Sequence, residues 1–477
     1  MLAMGPGLDS GPKPAFAINV KHFIACALPD TARLPLFPMR QDVTTATAQL
    51  NFGDAKALDA SLSDNVRGLK GSEILKIAAA VREMIAQGKQ VCNLTVGDFN
   101  PKFFPIPAAL REGIARALAG GETNYPPSDG VLALRKSVAE YAAREFSVRY
   151  PVEGVLIAAG ARPILYGTYR CVLNPGDKVV YGLPSWNNNH YSWIAQANAI
   201  EVVTQARHGF QPTLDDFRPH LHDANLFCLC TPSNPTGTVM EPEVLRELML
   251  GVVEENERRA RAGKRLLFVL HDQVYASLVF GEARHVHPCA LVPQSAPYVI
   301  SLDAISKSLA GTGVRVGWVL AAPAVVARMR DFLGHVGAWA PRAEQVAVAD
   351  FLGNPQALSA FRREMDTKVQ VLLNALYGGF MKMKQSGLPV DCVQPQGAIY
   401  LSLQLNLIGK SFEGRRIASN ADIGQLLLER AGMAVVPFQA FGLREESGWF
   451  RLSVGAVSPA DIETCLPRVK ALLEAVR

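Results

Sequence analysis

Short apolar runs and longer amphipathic stretches alternate along the middle of the chain. Seven runs are mostly apolar over four or five residues, which is typical of strands buried on both faces of a mainly parallel sheet. Helical patterns such as Pro242–Arg261 separate several of them. The runs are Val155–Ala158, Val179–Leu183, Ile200–Thr204, Leu226–Cys230, Leu266–Leu270, Val299–Leu302 and Gly317–Ala321. This alternation predicts an α/β fold with helices packed against the sheet.

The two ends of the chain depart from this pattern. Residues 1–65 combine Gly and Pro with short apolar pieces and no sustained period, so we expect a poorly ordered N-terminal extension. A helix is predicted to follow Ser72, a suitable N-cap, and to stop near Gly88. After about residue 345, long helical patterns alternate with a few strands, including Ala398–Leu403 and Met433–Val436. That change predicts a smaller α+β domain.

Composition and charge exclude several classes of function. The chain has 49% hydrophobic and 19% charged residues, and its net charge of +5 is mild for 477 residues. Without a dense Lys/Arg run, we expect no nucleic-acid partner. Without an uncharged apolar stretch of about 18 residues, we expect no membrane span. The cysteines form no C-x-x-C pair, so we predict buried free thiols and a cytoplasmic location.

Metal chemistry finds little support in the sequence. The pairs His220/His222 and His285/His287 stand without nearby Cys or carboxylate clusters. A structural or catalytic zinc site needs three or four such ligands together. We therefore predict no metal site and expect both histidine pairs in surface loops.

Unusual residues collect just after the predicted strands. In a parallel α/β sheet, this is the edge at which ligands bind. Five segments share this position: Gly160-Ala161-Arg162, Pro184-Ser185-Trp186, Ser233-Asn234-Pro235-Thr236-Gly237, His271-Asp272-Gln273-Val274-Tyr275, and Ser306-Lys307 with Arg315. Taken singly, each has an ordinary explanation as a tight turn, core filler or solvated loop.

Together the five segments meet the needs of one cofactor. A helix that begins after Gly160 offers free backbone N–H groups to a phosphate, and Arg315 can reach the same dianion. Trp186 can stack on a flat ring. A buried Asp272 requires a donor or cationic partner, such as a protonated ring nitrogen. Lys307 supplies an amine for an aldehyde.

The chain resembles the class I/II aminotransferases, the pyridoxal 5'-phosphate (PLP) enzymes of fold type I, and is most similar to the aspartate aminotransferase-like subgroup. The resemblance runs from about Leu69 to Arg477 and is carried by landmarks in family order. Besides the five segments, these landmarks are Val96-Gly97-Asp98-Phe99, Asn124-Tyr125 to Arg135, Asn174-Pro175-Gly176-Asp177, Gly397-Ala398-Ile399-Tyr400, Pro437 to Gly442, and Phe450-Arg451-Leu452-Ser453.

The resemblance implies a PLP site and a role for each matching residue. Lys307 would form the Schiff base with the PLP aldehyde, and Asp272 would pair with the ring nitrogen. Asn234 and Tyr275 would bond the ring hydroxyl. Tyr125 would reach the phosphate of the partner subunit, which implies a homodimer with shared active sites. The implied cofactor-binding set is Gly160, Ala161, Arg162, Trp186, Asn234, Asp272, Tyr275, Ser306, Lys307, Arg315 and Tyr125.

The resemblance also implies where the substrate lies and how the chain is divided. Arg451 would clamp the substrate α-carboxylate, with Gly97 and Asn234 beside it. The implied parts are the extension at 1–65, an N-terminal part of the small domain at 66–115, the large PLP-binding domain at 116–345 and the C-terminal small domain at 346–477. The large domain would contain a mainly parallel seven-stranded sheet flanked by helices, and the small domain would be α+β.

The implied activity belongs to amino acid metabolism. An L-amino acid, best guessed as aspartate or a similar one, would pass its amino group to a 2-oxo acid such as 2-oxoglutarate by a ping-pong Schiff-base mechanism. Two departures from the family pattern weaken the choice of substrate: Ala304 replaces a frequent phosphate-binding Ser, and Gln273 replaces the usual acid. A PLP-dependent β-lyase of the same fold and a non-catalytic PLP-binding regulator are the alternatives.

Overall fold

The computed structural model describes residues 49–69, 71 and 73–477. The chain divides between Ser61 and Leu62. In the described part of the first unit, residues 55–60 form helix α1, whose N-cap is Asp54. The predicted extension at 1–65 thus contains this helix, and a second helix at residues 64–67 crosses its predicted end. Residues 1–48 and the predicted N-cap Ser72 lie outside the described residues.

The second unit combines helices with four sheets. Its helices are α2 Asp64–Arg67, α3 Glu73–Ala86, α4 Ala108–Ala119, α5 Leu132–Phe146, α6 Ala161–Val172, α7 Asn188–Ala195, α8 Leu214–Leu221, α9 Pro242–Arg261, α10 Pro288–Leu291, α11 Ile305–Ser308, α12 Pro323–Val336, α13 Arg342–Leu352, α14 Pro355–Gln385, α15 Asn420–Leu426 and α16 Pro459–Ala475. Its strands are β1 Cys92–Asn93, β2 Val155–Ala158, β3 Lys178–Leu183, β4 Asn198–Val203, β5 Leu226–Cys230, β6 Phe268–Asp272, β7 Val299–Ala304, β8 Gly317–Leu320, β9 Val390–Cys392, β10 Tyr400–Leu405, β11 Ser411–Phe412, β12 Arg415–Arg416, β13 Met433–Ala434, β14 Val436–Pro437 and β15 Trp449–Ser453.

The main sheet has seven strands in the order β2-β8-β7-β6-β5-β3-β4. Strand β8 is antiparallel to both of its neighbours, and every other pairing is parallel. The predicted mainly parallel α/β sheet is therefore confirmed. Five of the seven predicted strands need a small shift of their bounds. The largest changes are at β6, which begins and ends two residues later than predicted, and at β4, which begins two residues earlier and ends one residue earlier; β7 extends by two residues to Ala304.

Successive residues of the central strands pack into different layers. Leu270 of β6 and Leu302 of β7 belong to one apolar core. Val269, one position before Leu270, and Val299, three positions before Leu302, belong to a second core on the opposite face. Because side chains alternate along a strand, neighbouring residues at its carboxyl end face different environments. This alternation determines which side chains at the carboxyl ends of the strands can line a cavity there.

The C-terminal part builds a separate four-stranded antiparallel sheet in the order β14-β15-β10-β9. The predicted strand Met433–Val436 is divided, because β13 pairs in parallel with β1 while β14 joins this smaller sheet. The domain boundaries at residues 66, 116 and 346 remain predictions. No helix among the described residues has the length and apolar character needed to cross a bilayer.

Candidate active site

A cavity of about 590 Å³ lies at the carboxyl ends of the main-sheet strands and reaches the smaller sheet. Most of the residues predicted for the site line it, although they come from distant parts of the chain. They are Gly97, Ala161, Arg162, Trp186, Asn234, Asp272, Tyr275, Ser306, Lys307, Arg315 and Arg451. Gly160, the N-cap of α6, stands directly beside this lining.

One end of the cavity is built to hold an anion. Gly160 has a φ of +83°, and no side chain of the described residues caps the first N–H groups of α6. A Cβ atom at Gly160 would lie 2.5 Å from Nη2 of Arg315, so only glycine fits this approach. Arg315 donates hydrogen bonds to the carbonyl oxygens of Thr312 at 2.5 Å and Ala159 at 2.8 Å. A fixed cation and free N–H groups together favour a phosphate.

A carboxylate occupies the opposite end. Asp272 is the last residue of β6, and its Oδ1 accepts a hydrogen bond from the Val274 N–H at 3.1 Å. Burial raises the pKa of Asp272 to about 6, while the Val274 N–H and the charge of Lys307 oppose that rise. The side chain is therefore ionised at neutral pH and can accept a hydrogen bond from a protonated ring nitrogen.

Lys307 places its amine between these two ends. The residue follows β7 in the short helix α11, and Nζ donates a hydrogen bond to the Gly97 carbonyl at 2.6 Å. Burial lowers the pKa of Lys307 to about 8, with Asp98 acting against this shift and Arg451 adding to it. An amine with this pKa has a sizeable neutral fraction near pH 7 and can act as nucleophile or base.

Arg451 closes the cavity from the smaller sheet. The residue lies in β15, is 1% exposed, and its guanidinium lies between the rings of Tyr400 and Phe441 at 4.7 and 4.9 Å. It donates to Asn234 Oδ1 at 3.1 Å and to the Thr95 carbonyl at 2.7 Å. Its Nε is buried without a partner among the described residues. Nη1 and Nη2 each carry a second N–H, so a guanidinium that lines the cavity in this way is suited to bind a carboxylate.

Sequence reasoning missed two partners of these residues. The hydroxyl of Tyr400 lies 2.5 Å from that of Tyr275, and both line the cavity. The Thr95 carbonyl, which positions Arg451, is a backbone group that no sequence motif reveals. Tyr400 is the last residue of the family motif Gly397-Ala398-Ile399-Tyr400, and its place in that motif is what could have identified it from the sequence.

Tyr191 also contributes to the site without having been predicted. Burial raises its pKa, Arg162 opposes the rise, and the negative charge of Asp272 adds to it. Tyr191 and His190 both line the cavity, at the start of the chain segment that follows Trp186.

Two predictions about position have different outcomes. Tyr125 does not line the cavity; it is 81% exposed and contacts Trp339 edge to face at 5.3 Å, so its role across a subunit interface stays a prediction. The expectation that His285 and His287 lie in a surface loop is wrong. His287 is fully buried and His285 is half-buried, because both pack behind the main sheet against Phe146.

The residues present fit PLP. The anion site at Gly160 and Arg315 suits a phosphate, and the carboxylate of Asp272 suits a ring nitrogen. Lys307 is available for an aldehyde, and Trp186 offers an aromatic face near Arg162. The substitution of Ala304 does not empty the phosphate end, since Ser306 and Arg315 both remain in the lining.

Comparison with known proteins agrees with this geometry. Residues 89–469 match the family described as aminotransferase class I and II. The chain is 30% identical over 406 residues to an aspartate aminotransferase of Rhizobium meliloti, covering 84% of this chain and 93% of that protein. It is 28% identical over 433 residues to a probable aspartate/prephenate aminotransferase of Aquifex aeolicus, covering 87% and 99%.

Solved structures give the same result. The aspartate aminotransferase from Rhizobium meliloti superposes with a TM-score of 0.77 at 26% identity, covering 87% of this chain and 99% of that chain. The aspartate aminotransferase from Thermus thermophilus, solved with maleate, gives 0.76 at 26% identity, covering 86% and 99%.

Proposed function

This chain belongs to the family of class I and II aminotransferases and is an enzyme that uses PLP, and we propose that its substrates are dicarboxylic. The proposed reaction moves the amino group of L-aspartate, or of a similar amino acid, to a 2-oxo acid such as 2-oxoglutarate. Relatives named as aspartate or aspartate/prephenate aminotransferases support this choice. So does the Thermus structure with maleate, because maleate is a four-carbon dicarboxylate.

The observation that carries the proposal is the free cation in the cavity. Arg451 and Arg315 each have a task, at the α-carboxylate and at the phosphate. Arg162 is a third guanidinium in the lining and forms no ion pair or hydrogen bond with any described residue. Its contact is with the Trp186 ring, 4.9 Å away. A second carboxylate on the substrate would give Arg162 the charged partner that it lacks.

The protein's side chains divide the work of the reaction. When bound, PLP supplies an aldehyde that combines with amines and a ring that takes up negative charge from the amine's α-carbon. Asp272 holds a proton at the ring nitrogen, which keeps that ring electron-deficient. Lys307, whose pKa is lowered to about 8, removes and returns the proton at the reacting carbon.

Arg451 orients the substrate for that proton transfer. Its Nη1 and Nη2 are anchored on Asn234 and Thr95, so the guanidinium has a fixed direction before a substrate arrives. The unpaired Nε and the two flanking rings leave its charge available in a dry environment. A preoriented donor of this kind costs little reorganisation on binding.

We propose in addition a cytoplasmic homodimer with shared active sites. Large apolar side chains are exposed in the stretch predicted as the large domain, among them Tyr125 at 81%, Leu132 at 51% and Val336 at 52%. A partner subunit that covers them would bring its own Tyr125 toward this cavity. Sedimentation of the PLP-loaded protein tests the assembly, and a monomer at working concentration would contradict it.

Initial-rate kinetics test the reaction itself. We expect L-aspartate with 2-oxoglutarate to give parallel double-reciprocal lines, because the first product, the oxo acid formed from aspartate, leaves before 2-oxoglutarate binds. L-glutamate, L-alanine and an aromatic amino acid serve as alternative donors. Release of ammonia without any need for a 2-oxo acid would reject transamination and favour the β-lyase alternative.

The variant Arg162→Met tests the dicarboxylic preference. The loss of one charged hydrogen bond, worth about 1.5–3 kcal/mol, should lower kcat/KM for aspartate by roughly 10- to 100-fold. L-Alanine, which has no second carboxylate, serves as the matched control and should react as before. An equal loss for both donors would show that Arg162 does not read the side chain.

A further inference from the structure

The residues on either side of Asp272 face away from the cavity. His271 and Gln273 are fully buried on the opposite side of the main sheet. His271 pairs in register with Ser301 of β7, and their side chains are hydrogen bonded, with Nδ1 3.1 Å from Oγ. The Phe146 ring of α5 covers this side, 5.7 Å from the ring of His285. Both residues that flank Asp272 therefore pack on the side of the sheet that faces away from the cavity.

A directed chain of hydrogen bonds ends at His271. The Cys289 N–H donates to His287 Nδ1 at 3.1 Å, so a neutral His287 carries its proton on Nε2. That group lies 2.9 Å from Ser301 Oγ and donates to it. The Ser301 hydroxyl then donates to Nδ1 of His271. Burial lowers the pKa values of both histidines, that of His287 to about 3, which keeps both rings neutral.

A second pair holds Gln273. His285 Nε2 lies 3.1 Å from Gln273 Oε1, and because the amide oxygen only accepts, the His285 proton is on Nε2. The rings of His285 and His271 are parallel within 1°, with centroids 5.8 Å apart. We call His271, Gln273, His285, His287 and Ser301 the histidine cluster.

The cluster leaves complementary atoms without partners. Because the His271 proton is on Nε2 and the His285 proton is also on Nε2, His271 Nε2 is a buried donor and His285 Nδ1 is a buried acceptor. Gln273 Nε2, a further donor, also has no partner in the part of the chain that the structure describes. An unpaired buried polar group is costly, and native proteins usually satisfy such groups with ordered water. A water molecule between the rings would accept from His271 Nε2 and donate to His285 Nδ1, and the Gln273 amide offers a further donor.

Buried polar atoms without partners also occur on the next two strands of the sheet. Asp303 of β7 and Trp318 of β8 are register partners, and both are almost fully buried. Asp303 Oδ2 and Trp318 Nε1 have no hydrogen-bond partner among the described residues. Unpaired polar atoms therefore continue along three adjacent strands on the covered side of the sheet.

Asp272 itself has little side-chain support. Among the described residues, the hydrogen bond to its carboxylate comes from the Val274 N–H. The backbone around it is tied to both neighbouring strands, by Thr231 N–H to Asp272 O and by Gln273 N–H to Leu302 O, each at 3.1 Å. The position of the carboxylate therefore depends on how firmly the flanking residues are held.

We propose that the histidine cluster binds ordered water behind the sheet and positions Asp272 for the reaction. His271, Gln273 and Ser301 act as positioning residues, through the backbone of β6, and do not touch the substrate. The inference rests on the proposed function insofar as Asp272 pairs with the cofactor's ring nitrogen. A displacement of even about 1 Å at such a group can cost up to about 100-fold in rate.

Two substitutions break the cluster in different places. Ser301→Ala removes one oxygen from the middle of the chain, and Gln273→Met removes the partner of His285. We expect each to lower kcat several-fold to about 100-fold with little change in KM, and to move the pH midpoint of the bound cofactor's absorbance. Ser301→Thr keeps the hydroxyl and should restore both values.

Val269→Ala is the matched control, since Val269 lies on the same face of the same strand, two residues before His271. It should lower the melting temperature and leave the absorbance midpoint and kcat unchanged. If Ser301→Ala and Gln273→Met behave like Val269→Ala, the positioning role is wrong. The absorbance midpoint requires no turnover, so this result stands apart from a failure of the proposed reaction.

A second measurement covers the case in which the variants fail to fold with the cofactor. An electron-density map of the wild-type holoenzyme should show a water molecule within hydrogen-bond distance of His271 Nε2 and His285 Nδ1. A dry gap between the two rings would overturn the proposed water site.

Discussion

The two sides of the main sheet at the end of β6 differ in how their polar groups are treated. On the cavity side, the pKa values of Asp272 and Lys307 are about 6 and 8, so both side chains are mostly charged at neutral pH. On the covered side, His271, His285 and His287 are kept neutral by burial. The residues alternate along one strand, so a shift of one position would exchange the two environments.

This difference separates two kinds of buried polar group. Groups on the cavity side are incompletely paired because a ligand is to complete them, as at Arg162, which forms no ion pair or hydrogen bond with any described residue. Groups on the covered side are paired mostly with each other, and the atoms left without partners among the described residues are a donor and an acceptor that a water molecule would satisfy. Substitutions on the cavity side should therefore change the rate of the chemical step. Substitutions on the covered side should change the position of Asp272 or the free energy of unfolding.

The largest effect is expected at Lys307. Lys307→Ala removes the group that forms the bond to the cofactor and moves the proton, so turnover should fall by about 10⁴-fold or more. The phosphate end of the cavity remains intact, and some PLP should still bind. The half-reaction with L-aspartate, followed by the cofactor's absorbance, measures the loss. Appreciable turnover in this variant would reject the assignment of Lys307.

The next effect compares the same substitution on both sides. Asp272→Asn removes a charge that faces the cofactor and should lower kcat by roughly 100- to 1000-fold. Asp303→Asn, on the covered side of the neighbouring strand, should have a far smaller effect. Burial raises the pKa of Asp303 to about 8, so its carboxyl is mostly protonated at neutral pH and an amide replaces a neutral group.

Steady-state kinetics on Asp272→Asn and Asp303→Asn, with PLP occupancy checked by absorbance, give this comparison. Equal losses in the two variants would show that the sheet does not separate the two environments.

A smaller effect concerns the rate at which the cofactor-free protein captures PLP. Only a neutral amine attacks the aldehyde, and Lys307 becomes neutral as the pH rises through about 8. Capture should therefore be slow at low pH, increase with pH, and level off above about pH 8. Stopped-flow absorbance measures it. A midpoint near the ordinary lysine value of about 10.4 would mean that burial does not lower this pKa.

The smallest effect on chemistry is expected at the apolar layer of the covered side. Val269→Ala removes two buried methyl groups, which should lower the free energy of unfolding by about 2 kcal/mol. Because Val269 is fully buried in the second core, PLP capture should keep its rate and its pH midpoint. Chemical denaturation and stopped-flow capture measure the two quantities. A changed midpoint would connect general packing to the chemistry of the cavity.

Much of the fold was readable from the sequence because apolar runs mark buried strands. Val155–Ala158 and Leu226–Cys230 were predicted with their observed bounds, as was the helix Pro242–Arg261. The end of β6 was placed too early, at Leu270, because His271 and Asp272 interrupt the apolar run. The predicted strand Met433–Val436 divides between two sheets, a choice that tertiary pairing makes.

The site was predictable where a side chain carries the chemistry and lies in a recognisable motif. Lys307, Asp272 and Arg451 belong to this class, and the structure brings them into one cavity. Partners that act through tertiary proximity were not predictable, such as the Thr95 carbonyl. His285 and His287 were misplaced because a lone histidine pair gives no indication of what packs over it, and here α5 and the main sheet enclose it.

Transfer of the amino nitrogen is the most direct test of the central claim. The PLP-loaded protein is given L-aspartate with an isotopically labelled amino nitrogen together with unlabelled 2-oxoglutarate, and the products are analysed by mass spectrometry. We predict that the label appears in glutamate, in step with the oxo acid formed from aspartate. Label recovered as ammonia, or retained in unreacted aspartate, would contradict the assignment as a dicarboxylic amino acid aminotransferase.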